Sequence, residues 1–213
     1  MIQNMLDAGV HFGHRAQRWN PSMAPYIYGQ KYGIHIIDIL KTVECLQQAC
    51  IFMQRTKNQK VLFVGTKRSA AYLVELAANE CSGDAYFINH RWLGGFLTNW
   101  TTMRGCLYRL HRLDPERATS KKERLLMTKQ HARLTKFFRG VADMRTKPDL
   151  LVIVGQQEEL SAVQEARKLA IPTVTLVDTD CNPKLATYSI PANDDSVRSI
   201  QLILSKLVQA RNA

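Results

Sequence analysis

The chain has little of what most functional classes need. Its five cysteines (Cys45, Cys50, Cys81, Cys106, Cys181) form no CxxC pair. Zinc fingers and disulfide frameworks require tighter, paired spacings, so reduced thiols in a reducing compartment are expected. Cys45 and Cys50 fall on a helical pattern and read as small packing residues. Apolar runs are short, Leu150–Val154 being typical. None approaches the roughly 20 residues of a membrane span, so no membrane partner is expected. Met1–Val10 carries Asp7 but no Lys or Arg. That argues against a secretory or transit leader and for a protein working where it is made, or already processed.

Nucleotide and hydrolase signatures are also missing. If Gly65 were the second glycine of a P-loop, position 60 would be Gly and position 66 Lys; they are Lys60 and Thr66. GxGxxG and GxSxG are absent. Gly155-Gln-Gln-Glu-Glu159 puts two acids at a helix start, which suits the helix dipole but repels a phosphate. No cofactor and no enzymatic activity are expected.

What the chain does have is segregated charge. Thr101–Lys147 holds thirteen Lys or Arg against four acids (Asp114, Glu116, Glu123, Asp143), which accounts for nine of the eleven net positive charges. A merely soluble surface mixes both signs. Concentrated cations attract a polyanion and release its counterions, and nucleic acid is the usual polyanion.

The rest alternates strand and helix. Strands are expected at 60–65, 85–89, 149–155, 171–177 and 188–190, with helices at about 38–55, 68–80, 156–170 and 194–209. The 60–65 and 149–155 runs are continuously apolar, as in parallel strands buried on both faces. The fold class is therefore α/β, a doubly wound parallel sheet. The basic segment interrupts it. Arg104–Leu113 is helical in pattern and Asp114-Pro115 marks a turn. Ser120 caps a second helix with Glu123 three residues on. This helix is expected to reach about Met144, roughly 24 residues or about 36 Å. Met127, His131, Leu134, Phe138 and Val141 form its apolar seam, sealing against Met103, Leu107 and Leu110. Lys122, Lys129, Arg133 and Lys136 take the opposite face. An antiparallel helical hairpin follows, giving a body of residues 1–100 and 145–213 and a basic hairpin of 101–144.

Two further groups carry chemistry. His11, His14, Asp178 and Asp180 have the donors for a divalent ion, the acids lying just past a strand end. Two surface histidines and a helix-capping acid pair account for them more simply, so no metal is expected. Arg15, Arg18, Trp19 and Asn20, and then Asn89, His90, Arg91, Trp92 and Asn99, interleave cations, indoles and amides. Such planes stack on bases or riboses and such amides bond phosphate and 2′-hydroxyl, although a tryptophan in a turn also serves as a core plug.

At these residues the chain resembles the bacterial-type small-subunit ribosomal protein 2 family. The resemblance runs in order through Ala8–His14, Arg18–Pro21, Gly33–Asp38, Phe63–Lys67, Arg91–Gly95, Leu97–Asn99, Ala170–Pro172, Val177–Pro183 and Ile190–Asp195. It implies a flavodoxin-like sheet with a protruding helical hairpin, and a structural role. The expected partners are small-subunit ribosomal RNA and neighbouring ribosomal proteins. Family motifs pick out Arg15, Arg18, Trp19, Asn20, Arg91, Trp92 and Asn99. To these the basic segment adds Arg104, Arg112, Lys121, Lys122, Lys129, Arg133 and Lys136 as expected RNA contacts. The chain departs from the family at Gly155, at Phe137-Phe-Arg-Gly140, in a shortened hairpin and in lacking a Gly-Arg-Ser tail after Ala210. Ile190–Asp195, Thr98-Asn-Trp100 and Gln156–Glu159 look plastid-like, so a plastid ribosome is expected ahead of a mitochondrial or bacterial one. The rival readings are a protein–protein adaptor and, further off, a nucleotide or sugar-phosphate enzyme.

Overall fold

A computed structural model describes residues 1–113, 116 and 120–213. The expected turn at Asp114-Pro115 lies outside the described residues.

Helix α1 (Ile2–Asp7) leads into strand β1 (Phe12–Arg15), then β2 (Ile27–Lys31) and β3 (Ile34–Ile37). These three strands make an antiparallel sheet in the order β1-β3-β2. Helix α2 (Ile39–Arg55), capped by Asp38, starts the α/β body. The body continues with β4 (Val61–Val64), α3 (Ala71–Glu80), β5 (Ala85–Ile88), α4 (Trp100–Arg112) and α5 (Lys121–Phe138). It closes with β6 (Leu150–Ile153), α6 (Leu160–Lys168), β7 (Thr173–Val177), β8 (Tyr188–Pro191) and α7 (Val197–Asn212). The five later strands form a parallel sheet in the order β5-β4-β6-β7-β8. Counted within that sheet, this is the flavodoxin-like order, with its topological switch between β4 and β6.

The continuous apolar strands are buried on both faces, as their sequence requires. Val61, Phe63, Leu150, Val152, Val174 and Leu176 pack toward α2, α3 and α7. Leu62, Val64, Leu151 and Ile153 pack toward α4, α6 and the end of α5. Arg211, fully buried at the end of α7, donates to the carbonyls of Thr56, Gln59 and Ser82 and so fixes that helix across the start of β4.

Some boundaries differ from expectation for physical reasons. Helix α4 starts earlier, at Trp100, because the preceding turn is held from outside the helix, as described below. Helix α6 starts later, at Leu160, because Gln156 and Glu159 turn inward and are buried. Helix α5 starts where expected, with the Ser120 hydroxyl accepting the Glu123 N–H. It stops at Phe138 rather than near Met144, about 27 Å long by its rise per residue. Arg139–Val141 tightens into a 3-10 turn because Gly140 lies against β5. A Cβ at Gly140 would overlap the Phe87 carbonyl oxygen and ring, 2.6 Å from Cγ. Backbone cannot yield there cheaply. Gly140→Ala should therefore cost about 1–3 kcal/mol, a fall in thermal midpoint of several degrees measurable by calorimetry. An unchanged midpoint would mean that the contact is soft.

Candidate nucleic-acid interface

The segment between β5 and α4 is organised by one buried carboxylate. Glu165, on α6, is 9% exposed. Its Oε1 accepts the Trp92 indole N–H at 3.0 Å and the Gly95 N–H at 2.7 Å. Its Oε2 accepts the N–H groups of Leu97 at 2.9 Å and Thr98 at 3.0 Å, and the Thr98 hydroxyl at 3.2 Å. Burial alone would raise this carboxyl. The bonds from Trp92, Thr98, Gly95 and Leu97 outweigh it and hold the pKa below the usual carboxylate range. Phe96 sits edge-on to both Trp92 and Trp100, completing the plug. Trp92 is thus a buried anchor, 8% exposed, and its ring offers no free face for a base. Arg91, immediately before it, is exposed, and so is Asn99, whose Oδ1 accepts the Thr102 hydroxyl.

Glu165 escaped the sequence reading. The available signal was an acid three residues after Ala162, on the same apolar face of α6 as Ala166.

From this plug α4 and α5 set out. Leu107 and Leu110 of α4, Phe138 of α5, and then Val141 and Met144 are buried in the second core. The expected seam is graded: Met127, His131 and Leu134 are half-buried, while Phe138 and Val141 are buried. No residue of 121–133 is buried, and Leu125 and Leu126 are exposed. Arg104 and Arg112 on α4, and Lys121, Lys122, Lys129, Arg133 and Lys136 on α5, are all exposed. Arg112 lies over the Tyr108 ring. Arg139 pairs with Glu75 of α3. With four acids for thirteen cations, 101–147 cannot neutralise itself.

The other predicted cluster belongs to the antiparallel sheet. Arg15 and Arg18 are exposed, and Trp19 is 38% exposed with its ring 5.2 Å from that of His35. Asn20 works inside the chain: its Oδ1 accepts the Ser22 N–H at 2.9 Å and its own N–H donates to Thr179 at 2.8 Å. The His14 N–H also donates to the Thr179 hydroxyl at 2.8 Å, docking β1 beyond β7. Both clusters therefore lie past the C-terminal ends of the parallel strands.

Between them, the crevice where doubly wound folds place ligands is filled from within. Glu159, following β6, accepts the Thr66 N–H following β4 at 2.8 Å and so bridges the switch point. Burial raises the Glu159 carboxyl, and the Thr66 bond only partly offsets that. The Lys67 ammonium stands 2.6 Å from Asp194 and 2.7 Å from Asp195, with Glu158 at 3.6 Å. These contacts push its pKa up against the burial that would lower it. Of the suggested ion ligands, His14 and Asp178 do come together, joined by Asp194 rather than by His11 or Asp180. Lys67 and His14 supply these carboxylates with positive charge, so the donor set is neutralised by the chain itself.

His14 Nδ1 lies 3.1 Å from Asp178. That bond raises the histidine to about 9, against opposing burial and with help from the charges of Asp178, Asp180 and Asp195. The folded pKa exceeds the unfolded value near 6.5, so the stabilisation is complete below about 6.5 and lost as pH rises through about 9. It amounts to about 3 kcal/mol. Denaturant unfolding between pH 6 and 10 should show this loss, and His14→Gln should flatten the 6.5–9 portion. A variant that keeps the full slope would assign it to another group.

The chain matches known proteins over nearly its whole length. The ribosomal protein S2 family model matches residues 5–213. The small ribosomal subunit protein uS2c of Ostreococcus tauri is 49% identical across 98% of this chain and 94% of its own length. That of Rhodomonas salina is 48% identical across 98% and 88%. The small ribosomal subunit protein uS2 of Synechococcus elongatus is 45% identical across 98% and 86%. A doubly wound body whose ligand crevice is closed by its own ion pairs, extended by a cationic helical pair and matched across nearly its whole length, belongs to the ribosomal protein S2 family.

Proposed function

We propose that the chain is a structural component of the small subunit of a plastid ribosome and binds small-subunit ribosomal RNA and neighbouring ribosomal proteins. The observation that carries this reading is the exposed excess of cations on α4 and α5, rooted through Leu107, Leu110 and Phe138 in an otherwise near-neutral body. Residues 101–144 act as a cationic arm along the RNA backbone. Arg104, Arg112, Lys121, Lys122, Lys129, Arg133 and Lys136 contact phosphates, with Arg91 and Asn99 at the arm's root. Arg15, Arg18 and Trp19 form a second contact. Trp92 and Asn20 act by holding these segments in place. Phosphate contacts fix position, and specificity comes from folded RNA shape. The role is structural rather than catalytic. The plastid assignment is supported by the algal relatives named uS2c.

Sedimentation of a native plastid extract tests it. The chain should travel with the small subunit at low salt and be stripped as salt rises. Migration as a free protein at low salt would sink the reading. Association that persists after nuclease treatment would favour the protein–protein adaptor.

A further inference from the structure

We infer that the N-terminal antiparallel sheet is a distinct seat for unpaired RNA nucleotides, taken by stacking on its exposed aromatic rings. This rests on the RNA-binding reading above but names a different surface and a different RNA state from the arm's.

Charge is the first support. No Asp or Glu occurs between Asp7 and Asp38, while Arg15, Arg18 and Lys31 are all exposed there. The second is the number of exposed aromatic side chains. Phe12 is 48% exposed, Tyr28 81%, Tyr32 93% and Trp19 38%. Large rings are seldom left so open; Phe12 and Tyr32 stand with the cations, one on β1 and one at the hairpin tip, whereas Tyr28 and Trp19 belong to the His35 side of the sheet.

Register shows how they are arranged. Ile34 of β3 stands opposite Arg15 of β1 on one side and Lys31 of β2 on the other. The neighbouring row on the same face is Phe12, Ile36 and Gly29. Space above Gly29 is open. Two cations thus stand two strand spacings apart, about 10 Å, beside an apolar strip. A base can lie flat on that strip while the cations meet its flanking phosphates.

The hairpin tip gives the third support. Tyr32 and Gly33 have φ of +51° and +77°, the two positive values a tight type I′ connection needs. Asparagine or aspartate is the comfortable first residue there, and a tyrosine in the left-handed region is strained. Within the chain, the Tyr32 ring gains an approach by Lys31 Nζ, 5.6 Å from its centroid. Strain that presents a ring at the tip is accounted for by something that stacks on it. Sheet platforms combining cations with aromatic rings take single strands this way, each stacked base contributing about 1–3 kcal/mol. An acidic protein partner would meet the cations but leave the rings unexplained.

The test uses the intact chain, a 12-nucleotide oligouridylate and a 12-base-pair RNA duplex, with fluorescence anisotropy as the readout. Phe12→Thr with Tyr32→Asn keeps a strand former in β1 and suits the turn better than tyrosine, so folding is preserved. This pair should weaken the single-strand probe by roughly 10-fold or more and leave the duplex within about 2-fold. Equal weakening of both probes, or of neither, would overturn the stacking seat. If the Phe12 and Tyr32 pair is silent while charge reversal on α5 weakens ribosomal RNA, this inference falls and the arm reading stands. If wild type binds neither probe nor ribosomal RNA, both fall. Ultraviolet crosslinking from Tyr32 in assembled subunits, with and without messenger RNA, then separates the two sources: a crosslink requiring messenger assigns the seat to it, and one that does not assigns it to ribosomal RNA. No crosslink to either would also overturn the proposal.

Discussion

Glu165→Leu is expected to cost about 4 kcal/mol or more, a fall in thermal midpoint of roughly 8–16 °C for a chain of this size. The carboxylate serves five donors from Trp92, Gly95, Leu97 and Thr98. Leucine would leave the indole and three backbone N–H groups facing an apolar side chain. Each buried orphan donor costs about 1–3 kcal/mol, with partial relief by relaxation. Glu165→Gln keeps the shape but turns one acceptor into a donor that meets N–H groups, so it should recover only part of the loss. Because the folded pKa is depressed, this stabilisation is present above the unfolded value near 4.3 and is lost as pH falls through the lower, folded value. The gap between wild type and Glu165→Gln should therefore be full at pH 6 and shrink below about pH 4. Urea unfolding across that range decides it, and a gap unchanged at pH 3 would show that packing rather than ionisation holds the segment. The consequence extends to RNA. On the proposed RNA-binding role, residues 92–98 hold the segment next to Arg91 and set the start of α4, so ribosomal RNA binding should weaken in Glu165→Leu even at temperatures where the body stays folded.

The example also shows where sequence patterns stop. Continuous apolar runs and period-3.6 patterns depend on neighbours along the chain, so the five parallel strands and their helices were legible. The Ser120 cap was legible for the same reason: its donor is three residues away. Glu165 gathers partners some seventy residues distant, and no local pattern encodes that. The antiparallel sheet was missed because its strands are short, its register slips twice, and Tyr32-Gly33 is an unusual hairpin tip. The early end of α5 had a local signal in Gly140, just past the Arg139 cap, but glycine alone does not fix a stop; packing against β5 does. Among the candidate site residues, exposure of the arm's cations followed from amphipathicity. The opposite fates of Trp19 and Trp92 did not, since both sit in polar turns and only tertiary contacts separate a half-open ring from a buried one.

Charge reversal of Lys122, Lys129, Arg133 and Lys136 to glutamate should produce the largest functional effect. At helical spacing these positions are offset by 0, 7, 11 and 14 residues, so they share one stripe of α5 about 21 Å long. Taking the B-form charge density as a guide, that length of duplex carries about a dozen phosphates. If the chain neutralises roughly six to ten phosphates, its affinity for small-subunit RNA should fall by about 10³–10⁵ between about 50 and 200 mM salt. Removing four contacts lowers the slope of log affinity on log salt by about 3–4, leaving a fall of only about 10–10³ over the same range. The shallower slope matters more than the weaker binding, because misfolding reduces affinity without removing a defined number of counterions. All four side chains are exposed, so the thermal midpoint should move little. Filter binding at four or five salt concentrations, for wild type and for glutamine and glutamate versions, separates the possibilities. Glutamine should give most of the slope change and glutamate should add repulsion at low salt. A wild-type slope retained in both would place the RNA on another surface, and the body's own motifs, led by Arg91 and the Arg15–Arg18 cluster, would then have to carry the interaction.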